Sequence, residues 1–166
     1  MKGRDMLWQD LLSIILATVL GAIIGVEREF HGKAAGLRTN LLICLGAAVF
    51  TIISREMAAE TDGSLTRIAA QIVTGVGFIG AGAIIQDRGG VHGLTTAATI
   101  WLVASIGMAC GAGLFKIAVI TTFIAIIVLI GLGKLAKPLD QFAEEYKKKS
   151  LSKQNLTNNN ESQTGI

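Results

Sequence analysis

The stretch IAAQIVTGVGFIGAGAIIQ, from Ile68 to Gln86, runs 19 residues without a charge, and its reading decides the fold. Its centre, Gly75-Val76-Gly77-Phe78-Ile79-Gly80-Ala81-Gly82, places Gly75, Gly77 and Gly80 at the Gly-x-Gly-x-x-Gly spacing of a dinucleotide-binding turn. Such a turn works only where a strand feeds the start of a helix, because the phosphates must reach the first unpaired helical N–H groups. Here the glycines fall midway along an apolar run of spanning length, so they belong inside a helix. Within a membrane helix, small residues let backbones approach closely. Ala70, Thr74, Gly77 and Ala81 recur at helical spacing, and Gly21/Gly25 and Gly107/Gly111 add further Gly-x-x-x-Gly pairs. Gly75, Gly77, Gly80 and Gly82 are accordingly read as helix-packing positions.

Working outward, charges cut the 166-residue chain into four more uncharged runs: Leu11 to Val26, Thr39 to Ser54, Gly89 to Phe115 and Ile117 to Gly133. The composition is 51% hydrophobic with a mean hydropathy of +0.57, too apolar for an ordinary soluble domain of this size. Crossing about 30 Å of hydrocarbon takes roughly 20 helical residues at 1.5 Å each. The fold class expected is all-α, a polytopic transmembrane bundle of about five spans with a short polar C-terminal tail. Helices are placed near Leu7–Val26, Thr39–Ser54, Ile68–Ile85, Leu94–Gly111 and Leu114–Gly133. The second is read as a short span, since mismatch costs only fractions of a kcal/mol per Å. A secretory signal is the alternative for the first run, but Gly25-Val26-Glu27-Arg28-Glu29 is a poor cleavage site, so the helix is retained.

The domain reading is a membrane domain over 1–133, a basic amphipathic juxtamembrane segment over 134–149, and a disordered tail over 150–166. Leu139, Phe142 and Tyr146 stand at near-helical spacing in the second, and the third is rich in Asn, Ser and Gln. With the N-terminus outside, ten of the 15 Lys and Arg fall on the cytoplasmic side and five outside, which favours N-out and C-in. The net charge of +3 gives no nucleic-acid footprint. Cys44 and Cys110 lie in apolar runs without metal spacing and read as two buried thiols.

Charges remaining near the runs are the candidate site. Glu27, Arg28, Glu29 and Arg38 bracket the first connection, and Asp87 follows the third run on the same side. Ionised groups persist at helix ends because placement deeper costs about 2.5–3.5 kcal/mol on the insertion scale. Glu27, Glu29 and Asp87 could offer carboxylates to Mg²⁺, while the neighbouring cations favour internal ion pairs; a metal site stays open. Within the bilayer, Asn40 and Gln71 each need a partner, because an unpaired polar group there costs several kcal/mol. His92, Thr95, Thr96 and Thr99 form a polar stripe that either lines a hydrated cavity or bonds back to the preceding turn. No G-x-S-x-G, H-E-x-x-H or Walker pattern occurs, so neither an enzyme nor a cofactor is expected.

The ordered set Gly25-Val26-Glu27-Arg28-Glu29, Ala35-Gly36-Leu37-Arg38-Thr39, the Gly75–Gly82 segment and Gly93-Leu94-Thr95-Thr96-Ala97-Ala98, closed by Trp101, resembles the membrane domain of the MgtC/SapB family. The resemblance implies a bacterial inner-membrane protein connected with magnesium homeostasis, growth at low Mg²⁺ and virulence through survival inside host cells. It further implies a non-enzymatic regulator that contacts membrane machinery such as the proton-translocating ATP synthase. The alternative is a Mg²⁺ or small-solute transporter acting as a homo-oligomer in the lipid bilayer. Longer members carry a soluble C-terminal domain, and this sequence reads as a short form without it.

Overall fold

The computed structural model describes residues 2–61, 66–87 and 90–132; the juxtamembrane segment and tail read from the sequence lie outside the described residues. The chain divides into two compact units, Met1–Ala125 and Ile126–Ile166; of the second, residues 126–132 are described and helical. Five helices account for most of the described residues: α1 Lys2–Phe30, α2 Leu37–Thr61, α3 Thr66–Gly82, α4 Leu94–Gly111 and α5 Phe115–Leu132. Leu7–Phe30, Leu37–Ala58, Leu94–Gly111 and Phe115–Leu132 are long and apolar enough to cross a membrane. The transmembrane helical class is therefore the observed one.

The surface has the inverted pattern that lipid selects. Large apolar side chains such as Leu42, Phe50, Phe78, Trp101 and Phe123 face outward, while small ones such as Ala17, Ala48, Ala104 and Ala118 fill the interior. The close approaches fall on the Gly-x-x-x-Gly pairs. A Cβ at Gly21 would lie 2.7 Å from Cys44 Cβ, and one at Gly25 would lie 2.8 Å from Leu37 Cα. Gly107 meets Cys44 and Ala47, and Gly111 meets Ala48 and Thr51, with backbone carbonyls in the way of any side chain. These contacts run α1 antiparallel to α2 and α4 parallel to α2, so α3 must return between them. Of the α3 glycines read as packing positions, Gly80 faces Ala97, while a Cβ at Gly75, Gly77 or Gly82 would meet nothing within 4 Å among the described residues. Their openness in this chain follows from α3 lying at the edge of the bundle with Ile72 and Val76 turned inward.

Helix ends explain the other departures. α1 and α4 both end on a glycine with positive φ, Gly32 at 60° and Gly113 at 77°. Each is followed by a six-to-one bond, Lys33 N–H to Arg28 O at 3.0 Å and Leu114 N–H to Ala109 O at 2.8 Å, which closes the last turn. α2 does not stop at Ser54 as its charges suggest but continues to Thr61, because Arg55 is paired within the bundle. α3 stops at Gly82 and not at Ile85. Ile85–Asp87 instead pairs antiparallel with Gly90–His92, with Ile85 opposite His92. β-branched residues flanking a glycine at φ 133° favour that hairpin over a further helical turn. The short element is thus α3, whose apolar part is Ala69–Gly82, and not α2.

Candidate functional site

The glycines that bring α1 against α2 also determine what happens to its last turn. Gly21, Gly25 and Arg28 follow i, i+4, i+7 on one face, so the close approach at the two glycines carries Arg28 under the α1–α2 connection. Arg28 is only 3% exposed and Glu27 8%. Arg28 Nη1 lies 3.8 Å from Glu27 Oε2, and Glu27 Oε1 lies 3.1 Å from His31 Nδ1. Asn40, fully buried in the first turn of α2, donates through Nδ2 to Ala35 O at 2.7 Å and Gly36 O at 2.9 Å. From α4, Thr96 and Thr99 are buried as well. The register that sets Gly107 beside Cys44, carried two turns toward the start of both helices, puts Thr99 level with Gly36. One end of the bundle therefore holds a buried polar layer contributed by three helices.

The layer is incompletely bonded. Glu27 Oε2, Arg28 Nε, Arg28 Nη2 and Asn40 Oδ1 are the buried side-chain polar atoms without a hydrogen-bond partner among the described residues. Each such atom costs about 1–3 kcal/mol, more when charged. Neutral residues of the same size would serve stability as well or better. Sites that break a packing rule at such a cost are where function is to be sought.

The other residues singled out from the sequence are placed as follows. Glu29 is exposed, and its Oε2 accepts the Leu37 N–H at 2.9 Å, so it caps the start of α2 with favourable charge. Arg38 is exposed on α2. Asp87 is exposed in the hairpin, 3.6 Å from His92 Nε2. Among the described residues no three His, Cys, Asp or Glu side chains gather into a metal-holding group, so Glu27, Glu29 and Asp87 do not converge. Thr95 is exposed, and Thr99 Oγ1 donates to Thr95 O at 2.7 Å, the back-bonded alternative for that hydroxyl. Gln71 is exposed on α3. Cys44 and Cys110 are buried free thiols.

Sequence reasoning missed the polar cluster at the opposite end. Arg55 pairs with Asp10 of α1 and with Glu56, and its Nη1 donates to Gly111 O at 3.2 Å, tying α1, α2 and the end of α4 together. The available signal was a single acid and a single base, each about one turn inside the apolar stretch of its helix.

Fold and buried layer together define a polytopic helical membrane protein with an acid–base pair, Glu27 and Arg28, sealed between its first two helices. The profile of the MgtC family matches residues 14–137, most of the described bundle. The chain belongs to the MgtC family. It is 44% identical over 141 residues to Protein MgtC of Salmonella typhimurium strain LT2, covering 85% of this chain and 60% of that protein. To Protein MgtC of Brucella abortus strain 2308 it is 46% identical over 128 residues, 77% of this chain and 51% of that protein. The chain thus spans between half and three fifths of the length of these relatives. No solved structure matches it significantly.

Proposed function

We propose that this chain is a non-enzymatic regulator or homeostasis factor of the bacterial inner membrane, tied to Mg²⁺ limitation and survival in the host, acting through contacts with other membrane proteins. The observation that carries this reading is the separation of the buried Glu27–Arg28 layer from the apolar cavity between α2 and α3. Glu27, Arg28, Asn40, Thr96 and Thr99 are sealed. A cavity of about 550 Å³ opens sideways between α2 and α3 with walls such as Leu42, Ile43, Phe50 and Ile79. A transporter needs polar groups along an open hydrated way, whereas an apolar bundle with outward-facing Ile, Leu and Phe suits helix–helix contact. By family resemblance the proton-translocating ATP synthase is the partner to test first. The transporter reading is favoured by one feature, the unpaired atoms of the buried layer.

Liposomes holding only the purified protein separate the two: no Mg²⁺ or proton flux above empty vesicles is expected. Saturable flux abolished by Glu27→Gln would establish the transporter instead. The proposed orientation is N-out and C-in, on the Lys and Arg asymmetry. Alkaline phosphatase fused after Gly133 should then be inactive, and strong activity reverses the orientation.

A further inference from the structure

α3 differs from the other four helices. Its apolar part, Ala69–Gly82, measures about 21 Å at 1.5 Å per residue, against about 30 Å of hydrocarbon. Along it only Ile72, Val76 and Gly80 are buried. Short, marginally packed spans relieve such a mismatch by thinning the bilayer or by associating.

Beside α3 runs the 550 Å³ groove, walled by α2 residues including Gly46 and Phe50 and by α3 residues including Gln71, Gly75 and Ile79. Two observations say what covers it. Gln71 is exposed in the apolar wall and has no hydrogen-bond partner among the described residues, while its neighbour Thr74 satisfies itself by donating to Ala70 O at 3.1 Å. An acyl chain filling the groove would leave that amide unpaired in hydrocarbon, at a cost of several kcal/mol. One turn on, Gly75 presents bare backbone, since a Cβ there would meet nothing within 4 Å.

We propose that a second copy of this chain occupies the groove, with α3 packed on α3 about a two-fold axis along the membrane normal. Such an axis holds identical residues at identical depth, so Gln71 meets Gln71 of the other copy without any tuning of register. An amide is both donor and acceptor, so the pair is self-complementary and both are satisfied at once. Gly75, on the same side of α3, allows the two backbones to approach. The dimer depends on neither functional reading.

The test uses the full chain in nanodiscs and in native membranes. The parent should have the mass of two copies. Gln71→Cys should form a disulfide-linked dimer on mild oxidation, while Phe123→Cys on the outward face of α5 should not. Gln71→Leu and Gly75→Leu should each weaken association roughly tenfold, and Gln71→Asn should restore it. Both Leu variants must keep the parent's monomer melting behaviour, which the open space at Gly75 permits. A parent that stays monomeric at every concentration overturns the proposal, whether the groove then holds lipid or the helix of a different protein. So does a dimer untouched by both Leu substitutions, or one that cross-links equally at Phe123.

Discussion

Each end of the bundle holds an arginine beside an acid, and the two pairs are built to opposite rules. Arg55 reaches across helices: its partners are Asp10 from α1, Glu56 and the Gly111 carbonyl at the end of α4. Its side chain keeps 26% exposure, so the ions are only partly desolvated. Arg28 pairs with its own neighbour Glu27, retains 4% side-chain exposure, and leaves Nε and Nη2 unbonded. A cross-helix pair with a capping contact fixes three helices relative to one another. A sequence-adjacent pair fixes nothing, because both ions ride on one turn of α1. The first pair has a sufficient structural reason to exist and the second does not, which is why the second is the functional candidate.

The largest effect that could break this contrast is expected at Arg55. Arg55→Ala removes the donor to Gly111 and leaves Asp10 partly buried without its partner, a change worth about 3 kcal/mol by analogy with broken buried pairs. Thermal unfolding in detergent should show a clear loss of melting temperature. A parent-like melt would demote the Asp10–Arg55 cluster to a surface ion pair.

A smaller effect, of opposite sign, is expected at the other end. Glu27→Leu combined with Arg28→Met replaces a poorly bonded ion pair by apolar groups of similar volume, and such exchanges are often neutral or modestly stabilising. The double variant should therefore insert, melt at or above the parent, and yet fail to support growth at low Mg²⁺ in a strain that needs this protein. If it unfolds as readily as the Arg55 variant, the two layers are alike and the buried layer is structural.

What the sequence made legible follows from which forces are local. Uncharged run length located the five helices, and α4 matches Leu94–Gly111 at both ends because Gly93 before it and Gly113 after it are helix boundaries in their own right. The Gly21/Gly25 and Gly107/Gly111 pairs were readable as close approaches. Gly77 was not readable as an open position, since a small residue has the same signature whether its neighbour is a helix of this chain, another chain or lipid. α2 outran its apolar run because Arg55 is neutralised by Asp10, 45 residues earlier, and no local window contains both. Within the candidate site, Glu27, Arg28 and Asn40 were all visible as costly residues, but which would be buried depended on the Gly25–Leu37 contact. Arg38 and Asp87 carry the same type of charge signal and lie on the exposed surface.

The smallest effect is expected at Asp87, where it sharpens the boundary of the site. Asp87 and His92 lie 3.6 Å apart across the hairpin, with side chains 57% and 62% exposed, so water screens most of their attraction. Exposed pairs of this kind contribute about 0–1 kcal/mol. Asp87→Asn should thus leave the melting temperature within error of the parent. Its growth phenotype is the informative reading. Asp87 stands at the same end of the bundle as Glu27, because α2 and α4 run parallel and the hairpin precedes α4. If only the buried layer is required, Asp87→Asn supports growth at low Mg²⁺ as the parent does, and the site narrows to Glu27, Arg28 and Asn40 with Thr96 and Thr99. If instead growth support is lost with folding intact, the requirement extends to a charge exposed at the membrane surface. A sealed pair and an exposed acid at the same end would then point to a partner that docks on the hairpin and is read through the α1–α2 connection.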